Sequence, residues 1–559
     1  MTRELCRPEP TEIKSTLGTR LARTLILVVI GGYLAGCCSI PRGGETRFAT
    51  RVVIKFDPIF FPGEVRDGTH YVAGAERHFN RTCRNPDFEQ TRNARQGQTA
   101  AQFVSCAAVW EQLSREFGPL RLHPVFSGLK PKEISELVAQ AKNNNPRYVD
   151  PNFFMSFFVA RRPSSRDAHQ LVAALRKLPF VRSAYIDIAA PMPGLVEKDA
   201  ETAGYVDPAL KGGLGIDSAW EKADGSKVNI AVIDRGWLLE KHPDLPDLPN
   251  AAAGRPDYAD YSQDFGEIKH GTAALGIVVA KDKTGGISGI APKAGIVLAS
   301  VISDIDEEDY ATVSVASVEN AILTAAKSLN NGDVMLVEYQ TRGLLNYFVP
   351  AEQKGLVFDA IATATSGKKL IVIEPSGNFN CTVVSPLCPD SGNNLDKDKD
   401  TNLIEGEAQG VLNRSLIPGG PNFADSGAIW VGAARASITA AGAHERLAYV
   451  NSGAAIHTYA WGEGVKSTGL VSNVSPPPPR FVPGPTDTVL TMTSAASAII
   501  AGAALLIQNI CEAEGKARLT PAEMRAVLGS NSGTPVIDLT GTGTPIGYMP
   551  DLKKFICRP

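Results

Sequence analysis

Between residues 228 and 508, short apolar runs alternate with segments of helical spacing, and nothing else in the chain constrains the fold as strongly. Residues 228–233, 295–302, 334–337, 370–373 and 428–431 read as strands. Residues 272–279, 315–329, 357–365 and the segment after Ser494 read as helices. Strand and helix in alternation imply parallel strands, because a parallel pair needs a long crossover and the helix supplies it. The expected architecture is an α/β fold with a mainly parallel central sheet and helices on both faces.

A chain of 559 residues is too long for one typical domain. Ahead of the alternating body, residues 107–113 have helical spacing, as do Ile134, Leu137 and Val138 after Pro131. Residues 153–159 read as a strand, Leu171, Leu175 and Leu178 as one side of a helix, and 181–186 as a further strand. Pro191, Pro193 and Gly194 mark a linker after this smaller α+β unit. The expected divisions are therefore an export segment over 1–37, a linker and α+β domain over 38–200, and the main domain over 201–559. A net charge of −3 gives no electrostatic case for binding nucleic acid or an anionic membrane surface.

The first segment reads as an export signal. Arg20 and Arg23 precede the apolar residues 25–30, which end in Leu34-Ala35-Gly36-Cys37. The apolar run is short for a membrane span. Leu-Ala-Gly-Cys resembles the lipobox of bacterial lipoproteins, which implies lipidation at Cys37 and an anchor in the cell envelope; the alternative is a plain secretory signal and a secreted protein. Of nine cysteines, six remain once Cys6, Cys37 and Cys38 are set aside. Sequence leaves fifteen pairings open; nearest neighbours would join Cys83 to Cys106, Cys381 to Cys388, and Cys511 to Cys557.

Three short segments carry the chemistry. Ile230-Ala231-Val232-Ile233-Asp234-Arg235-Gly236 puts a carboxylate at the end of an apolar strand, where open α/β sheets place their ligand chemistry. His270-Gly271-Thr272 supplies an imidazole, and Thr493-Ser494-Ala495 a hydroxyl. A serine nucleophile needs a base to accept its proton, and the base needs a carboxylate to fix its tautomer. The order Asp, His, Ser is that of the subtilisin-like serine proteases, and the chain resembles that family over about residues 205–535. Further matching segments are Gly213–Trp220, His242-Pro243-Asp244-Leu245, Gly289-Ile290-Ala291-Pro292, Pro375-Ser376-Gly377-Asn378, Gly427–Ala433 and Leu519–Glu523.

The resemblance implies a three-layer subtilisin-like fold preceded by a propeptide, and a serine endopeptidase acting on protein or peptide substrates. It implies that Asp234, His270 and Ser494 form the catalytic set and that Asn378 donates into the oxyanion hole. It implies no organic cofactor or catalytic metal. His242, in the segment that trails the aspartate, is expected to be structural. The uncharged stretch 494–508 is expected to be the buried central helix rather than a membrane span.

Two departures from the pattern Gly-Thr-Ser-x-Ala-x-Pro stand out: Met492 replaces the glycine and Ala498 the proline. They motivate an alternative, a weak or inactive protein of the same fold that binds partners at the cell envelope. Two acidic features stay open. Asp396, Asp398, Asp400, Asn402 and Glu407 fall at positions 1, 3, 5, 7 and 12 of a calcium-loop template, with Thr401 in place of its glycine. They form either a structural calcium site or a solvated loop. Glu338 and Glu374 lie near segments that line the family's substrate cleft; buried there they would favour a basic side chain, and otherwise they face solvent or pair with a neighbour such as Arg342.

Overall fold

The structure is a computed structural model. It describes residues 49–58, 106–161, 167–178, 180–187, 189, 204–238, 242–248, 265–281, 287–305, 313–342, 348–378, 424–473, 480–483, 488–537 and 546–557. The export segment with Cys37, the linker at 191–194, the 396–407 acidic series, and Cys83, Cys381 and Cys388 lie outside the described residues.

A small antiparallel sheet comes first. Strands β1 (Thr50–Phe56), β2 (His123–Pro124), β3 (Ser156–Arg161) and β4 (Val181–Asp187) are ordered β2-β3-β1-β4. Helices α1 (Cys106–Phe117), α2 (Pro131–Asn144) and α3 (Asp167–Leu175) interleave with them. The strand expected over 153–159 begins only at Ser156. Asn152 takes a left-handed φ of +54° and turns Phe153–Met155 into one turn of 3-10 helix.

The body is built on an eight-stranded sheet. At its centre, β5 (Asn229–Asp234) pairs in parallel with β6 (Gly295–Ser300) and with β9 (Val334–Val337). Two more strands, β7 (Ile302–Ile305) and β8 (Val313–Ala316), form a separate hairpin between β6 and β9 in the chain. Beyond a second hairpin, β10 (Gln340–Arg342) with β11 (Phe348–Pro350), strand β12 (Ile371–Pro375) pairs with β9, and β13 (Ile429–Ile438) pairs with β12, both in parallel. On the far side, β14 (His444–Arg446) runs antiparallel to β13, and β15 (Thr458–Trp461) runs parallel to it.

Strand order places the helices. The chain steps from β5 outward to β6, then back past β5 to β9 and on to β12. With right-handed crossovers, those opposite directions put the connecting helices on opposite faces. On one face lie α4 (Ile216–Trp220), α5 (Phe265–Val279) and α8 (Met492–Ala513); on the other lie α6 (Val318–Ser328) and α7 (Gly355–Lys368). The expected three-layer α/β fold is thus present. The helix expected over 315–329 starts later, since its first residues are extended in β8.

Helix α8 is buried from Thr493 to Cys511, which accounts for its lack of charge in that stretch and identifies it as a core helix. Small residues let its neighbours come close: a Cβ on Gly502 would meet Ile290 Cβ at 2.7 Å, and one on Gly276 of α5 would meet Thr468 Oγ1 at 2.2 Å. Cys511, at its buried end, is bonded to Cys557, one of the three nearest-neighbour pairs.

The N-terminal sheet packs on α6 and α7. Arg51 of β1 is buried and bridges Asp187 of β4 to Glu319 of α6, the latter at 3.2 Å. Lys55 reaches Asp359 of α7 at 2.7 Å. Helix α2 lies along α7, where Asn144 donates to Gly367 O at 2.6 Å.

Candidate active site

Asp234 ends β5, with β6 on one side and β9 on the other, and its carboxyl is fully buried. One oxygen, Oδ1, accepts the Arg235 N–H at 2.6 Å, and the other, Oδ2, is 2.8 Å from His270 Nδ1. His270 stands in the second turn of α5 and is 1% exposed. Burial works against its positive charge, but attraction to Asp234 and the hydrogen bond between them raise its pKa above the usual value. Its Nε2 is buried and makes no hydrogen bond among the described residues.

The residues after His270 show why that triplet has its composition. A Cβ on Gly271 would lie 2.1 Å from Gly236 O, so only glycine lets α5 approach the backbone that follows Asp234. Thr272 Oγ1 donates to Ile268 O at 2.6 Å and accepts the Leu238 N–H at 2.9 Å, which ties the helix to that segment. The competing imidazole, His242, uses both nitrogens structurally. Its Nδ1 accepts the Asp244 N–H at 3.1 Å and its Nε2 donates to Gly469 O at 3.0 Å. Burial lowers its pKa.

Ser494 lies in the first turn of α8, where the helix's positive end favours a nearby negative charge. Asn378 follows β12 and is held against the start of that helix: its Oδ1 accepts from Thr493 N at 3.1 Å and from Thr493 Oγ1 at 2.9 Å. With the oxygen committed to Thr493, the amide Nδ2 is the atom free to donate elsewhere. It lies 3.4 Å from Gln340 Oε1, which also accepts the Asn378 backbone N–H at 3.2 Å. Gln340 belongs to β10 and no sequence motif pointed to it. At the position of the missing glycine, Met492 takes a φ of +66°. That left-handed backbone costs a non-glycine residue roughly 1–2 kcal/mol.

The structure therefore brings Asp234 and His270 into direct contact and fixes Asn378 to the residue beside Ser494. A link that sequence did not reveal is Glu338, directly after β9. Its carboxyl lies 2.8 Å from the Ser497 hydroxyl, faces the Ser494 side chain, and feels the charges of His270 and Asp234. It is 1% exposed, so the solvent-facing alternative gives way to a buried place against the first turns of α8. Such a cluster can pass a proton from a hydroxyl to an imidazole, hold the imidazolium with a carboxylate, and donate an amide N–H to a developing oxyanion.

The described residues place an acid and an imidazole in contact at the carboxyl ends of parallel strands and a serine in the first turn of α8, with no hydrogen bond from His270 Nε2 among them. Residues 225–543 match the subtilase family, and the chain belongs to that family of serine peptidases. No curated protein sequence matches it. Among solved structures, it is similar to the MycP3 protease of the type VII (ESX-3) secretion system, at 18% identity over 65% of this chain and 90% of that one, with a TM-score of 0.38. MycP1 from Mycobacterium smegmatis matches at 17% identity over 66% and 89%, with a TM-score of 0.38. Fervidolysin from Fervidobacterium pennivorans, a keratinolytic enzyme, matches at 16% identity over 75% and 58%, with a TM-score of 0.41.

Proposed function

We propose that the protein is an exported serine endopeptidase whose reaction is run by Asp234, His270, Ser494 and Asn378. Ser494 attacks the peptide carbonyl while His270 Nε2 takes its proton. The imidazolium then gives that proton to the leaving amine, and water repeats the sequence on the acyl-enzyme. Asp234 keeps the proton of the neutral imidazole on Nδ1 and stabilises the charged form. Asn378 Nδ2 and the backbone N–H of Ser494 receive the oxyanion. The observation that carries this reading is the buried 2.8 Å contact between Asp234 and His270 at the carboxyl ends of parallel strands. Substrates are proteins or peptides, and the steps need no organic cofactor or catalytic metal.

Residues up to about 200 fit the role of a propeptide that the enzyme removes from itself. The end of β4 supports this: Asp187 and Ala189 share a cavity with Tyr339 and Thr341, next along the chain from Glu338. Leu34-Ala35-Gly36-Cys37 supports export with a lipid anchor at Cys37, and the acidic series 396–407 remains a candidate for structural calcium. The strained Met492 backbone favours a second reading, in which the fold binds peptides without cutting them efficiently.

A fluorophosphonate probe separates the two. It is expected to label the wild-type protein and not Ser494→Ala, and the Ser494→Ala chain is expected to keep its N-terminal region. Labelling that does not depend on Ser494 would defeat the peptidase reading, and an identical processed band in the variant would assign the cleavage to another protease. Asn378→Ala tests the oxyanion role. It is expected to lower kcat by about 100- to 1,000-fold with little change in KM, a magnitude taken from the corresponding donor in subtilisin itself. A loss confined to KM would place Asn378 in substrate binding instead.

A further inference from the structure

The reaction above leaves unused a buried acid that touches the nucleophile's helix. Glu338 donates its backbone N–H to Ile233 O at 2.8 Å, so it stands beside the strand end that carries Asp234. Oxygen Oε1 lies 2.8 Å from Ser497 Oγ, the carboxyl also faces the Ser494 hydroxyl, and Oε2 has no short hydrogen bond among the described residues. The Ser497 hydroxyl has one proton and three oxygens in reach: Glu338 Oε1, Thr493 O at 2.8 Å and Ser494 O at 3.0 Å. A protonated Glu338 resolves this, since its O–H donates to Ser497 Oγ while Ser497 donates to the helix carbonyls. An ionised Glu338 would draw that proton away from the helix and hold a charge in the buried interior beside the Ser494 hydroxyl.

The groups around it agree. Asp234 on β5 is a like charge, His270 on α5 an opposing one, and Ser494 and Ser497 approach from α8. Arg235, also on the β5 side, bears on His270. Ile373 of β12 pairs with Leu336, so Glu374 belongs to the opposite face of the sheet from Glu338. Burial first, and the Asp234 charge after it, outweigh the attraction of His270 and push the Glu338 carboxyl up to about 8.

We propose that Glu338 is a positioning residue that works as a neutral carboxylic acid beneath Ser494, and that its ionisation switches the site off. The inference rests on the serine-peptidase reading. As a neutral acid, Glu338 adds no charge where the oxyanion forms. As a carboxylate it competes with His270 for the Ser494 proton and repels the oxyanion. In the structure Ser494 already faces Glu338 while His270 Nε2 has no partner among the described residues.

The test is the pH profile of the second-order rate of fluorophosphonate labelling, measured on the full chain. The wild-type rate is expected to fall above about pH 8, where Glu338 loses its proton, by about tenfold per pH unit. Whatever its rate at neutral pH, Glu338→Gln lacks that alkaline fall. Ser497→Ala removes a donor that favours the anion, so its fall moves to higher pH. An unchanged fall in Glu338→Gln overturns the proposal, as does a wild-type rate that rises on ionisation. Should Glu338→Gln not fold, an unmoved fall in Ser497→Ala overturns it. An arm independent of activity follows the His270 imidazole signals by NMR in Ser494→Ala protein. A titration step near pH 8 that Glu338→Gln abolishes supports the neutral acid, and its persistence overturns it. Wild-type protein that never reacts with the probe defeats the peptidase reading instead, and the imidazole titration still decides whether Glu338 is the neutral acid.

Discussion

Ser494→Ala is expected to lower kcat about a million-fold, His270→Ala alone about as far, and the double variant no further, a pattern whose magnitude comes from subtilisin itself. The two residues perform one proton transfer, so losing either forfeits the whole step. The surroundings of Ser494 make the loss chemical rather than structural. The next two residues of α8, Ala495 and Ala496, are already alanines in the same buried helix. Ser494 Oγ faces the Glu338 carboxyl, whose Oε1 keeps the Ser497 hydroxyl after the substitution. Thermal melting of Ser494→Ala should therefore stay close to wild type while turnover of a peptide substrate disappears. Turnover within about a hundredfold of wild type would point to Ser497 as the nucleophile. Its hydroxyl, however, is engaged by Glu338 and by the Thr493 and Ser494 carbonyls.

The segments around Asp234, His270 and Ser494 were legible because each is a local pattern with its own physical cause. Asp234 closes a buried strand, Gly271 is required where α5 meets Gly236, and α8 must be uncharged because it is buried from Thr493 to Cys511. Strand β1 was not legible, although it is the inner strand that joins β3 to β4. Arg51 and Lys55 make it look like an exposed segment, but their charges are met by Glu319 and Asp359, roughly 270 and 300 residues away. Glu338 failed for a related reason. An acid after a strand reads the same whether it faces solvent or the underside of a nucleophile, and only the packing of α8 against β9 distinguishes the two. Gln340 carried no motif at all, since its contact with Asn378 depends on how β10 leaves the sheet.

Asp234→Asn is expected to lower kcat about 10,000-fold, the size of loss seen when a triad carboxylate becomes an amide. The geometry gives the cause. Oδ1 of Asp234 accepts the Arg235 N–H at 2.6 Å, while Oδ2 faces His270 Nδ1 at 2.8 Å. Asparagine keeps a single oxygen, and the rigid backbone donor at Arg235 claims it. The amide NH2 then points at His270 Nδ1, which must become an acceptor, so the imidazole proton moves to Nε2. An Nε2 that already carries a proton cannot take one from Ser494. Nitrogen-15 shifts of His270 should report the change, with the proton on Nδ1 in the wild type and on Nε2 in the variant. Full activity with the exchanged tautomer would remove His270 from the role of base. The same substitution also deletes a negative charge that raises the Glu338 carboxyl. Ionisation of Glu338 should therefore move to lower pH in Asp234→Asn, and the residual activity should begin its alkaline fall earlier than the wild type does. That shift would couple the two acids, since Gln at 338 would erase it and leave the tautomer effect intact.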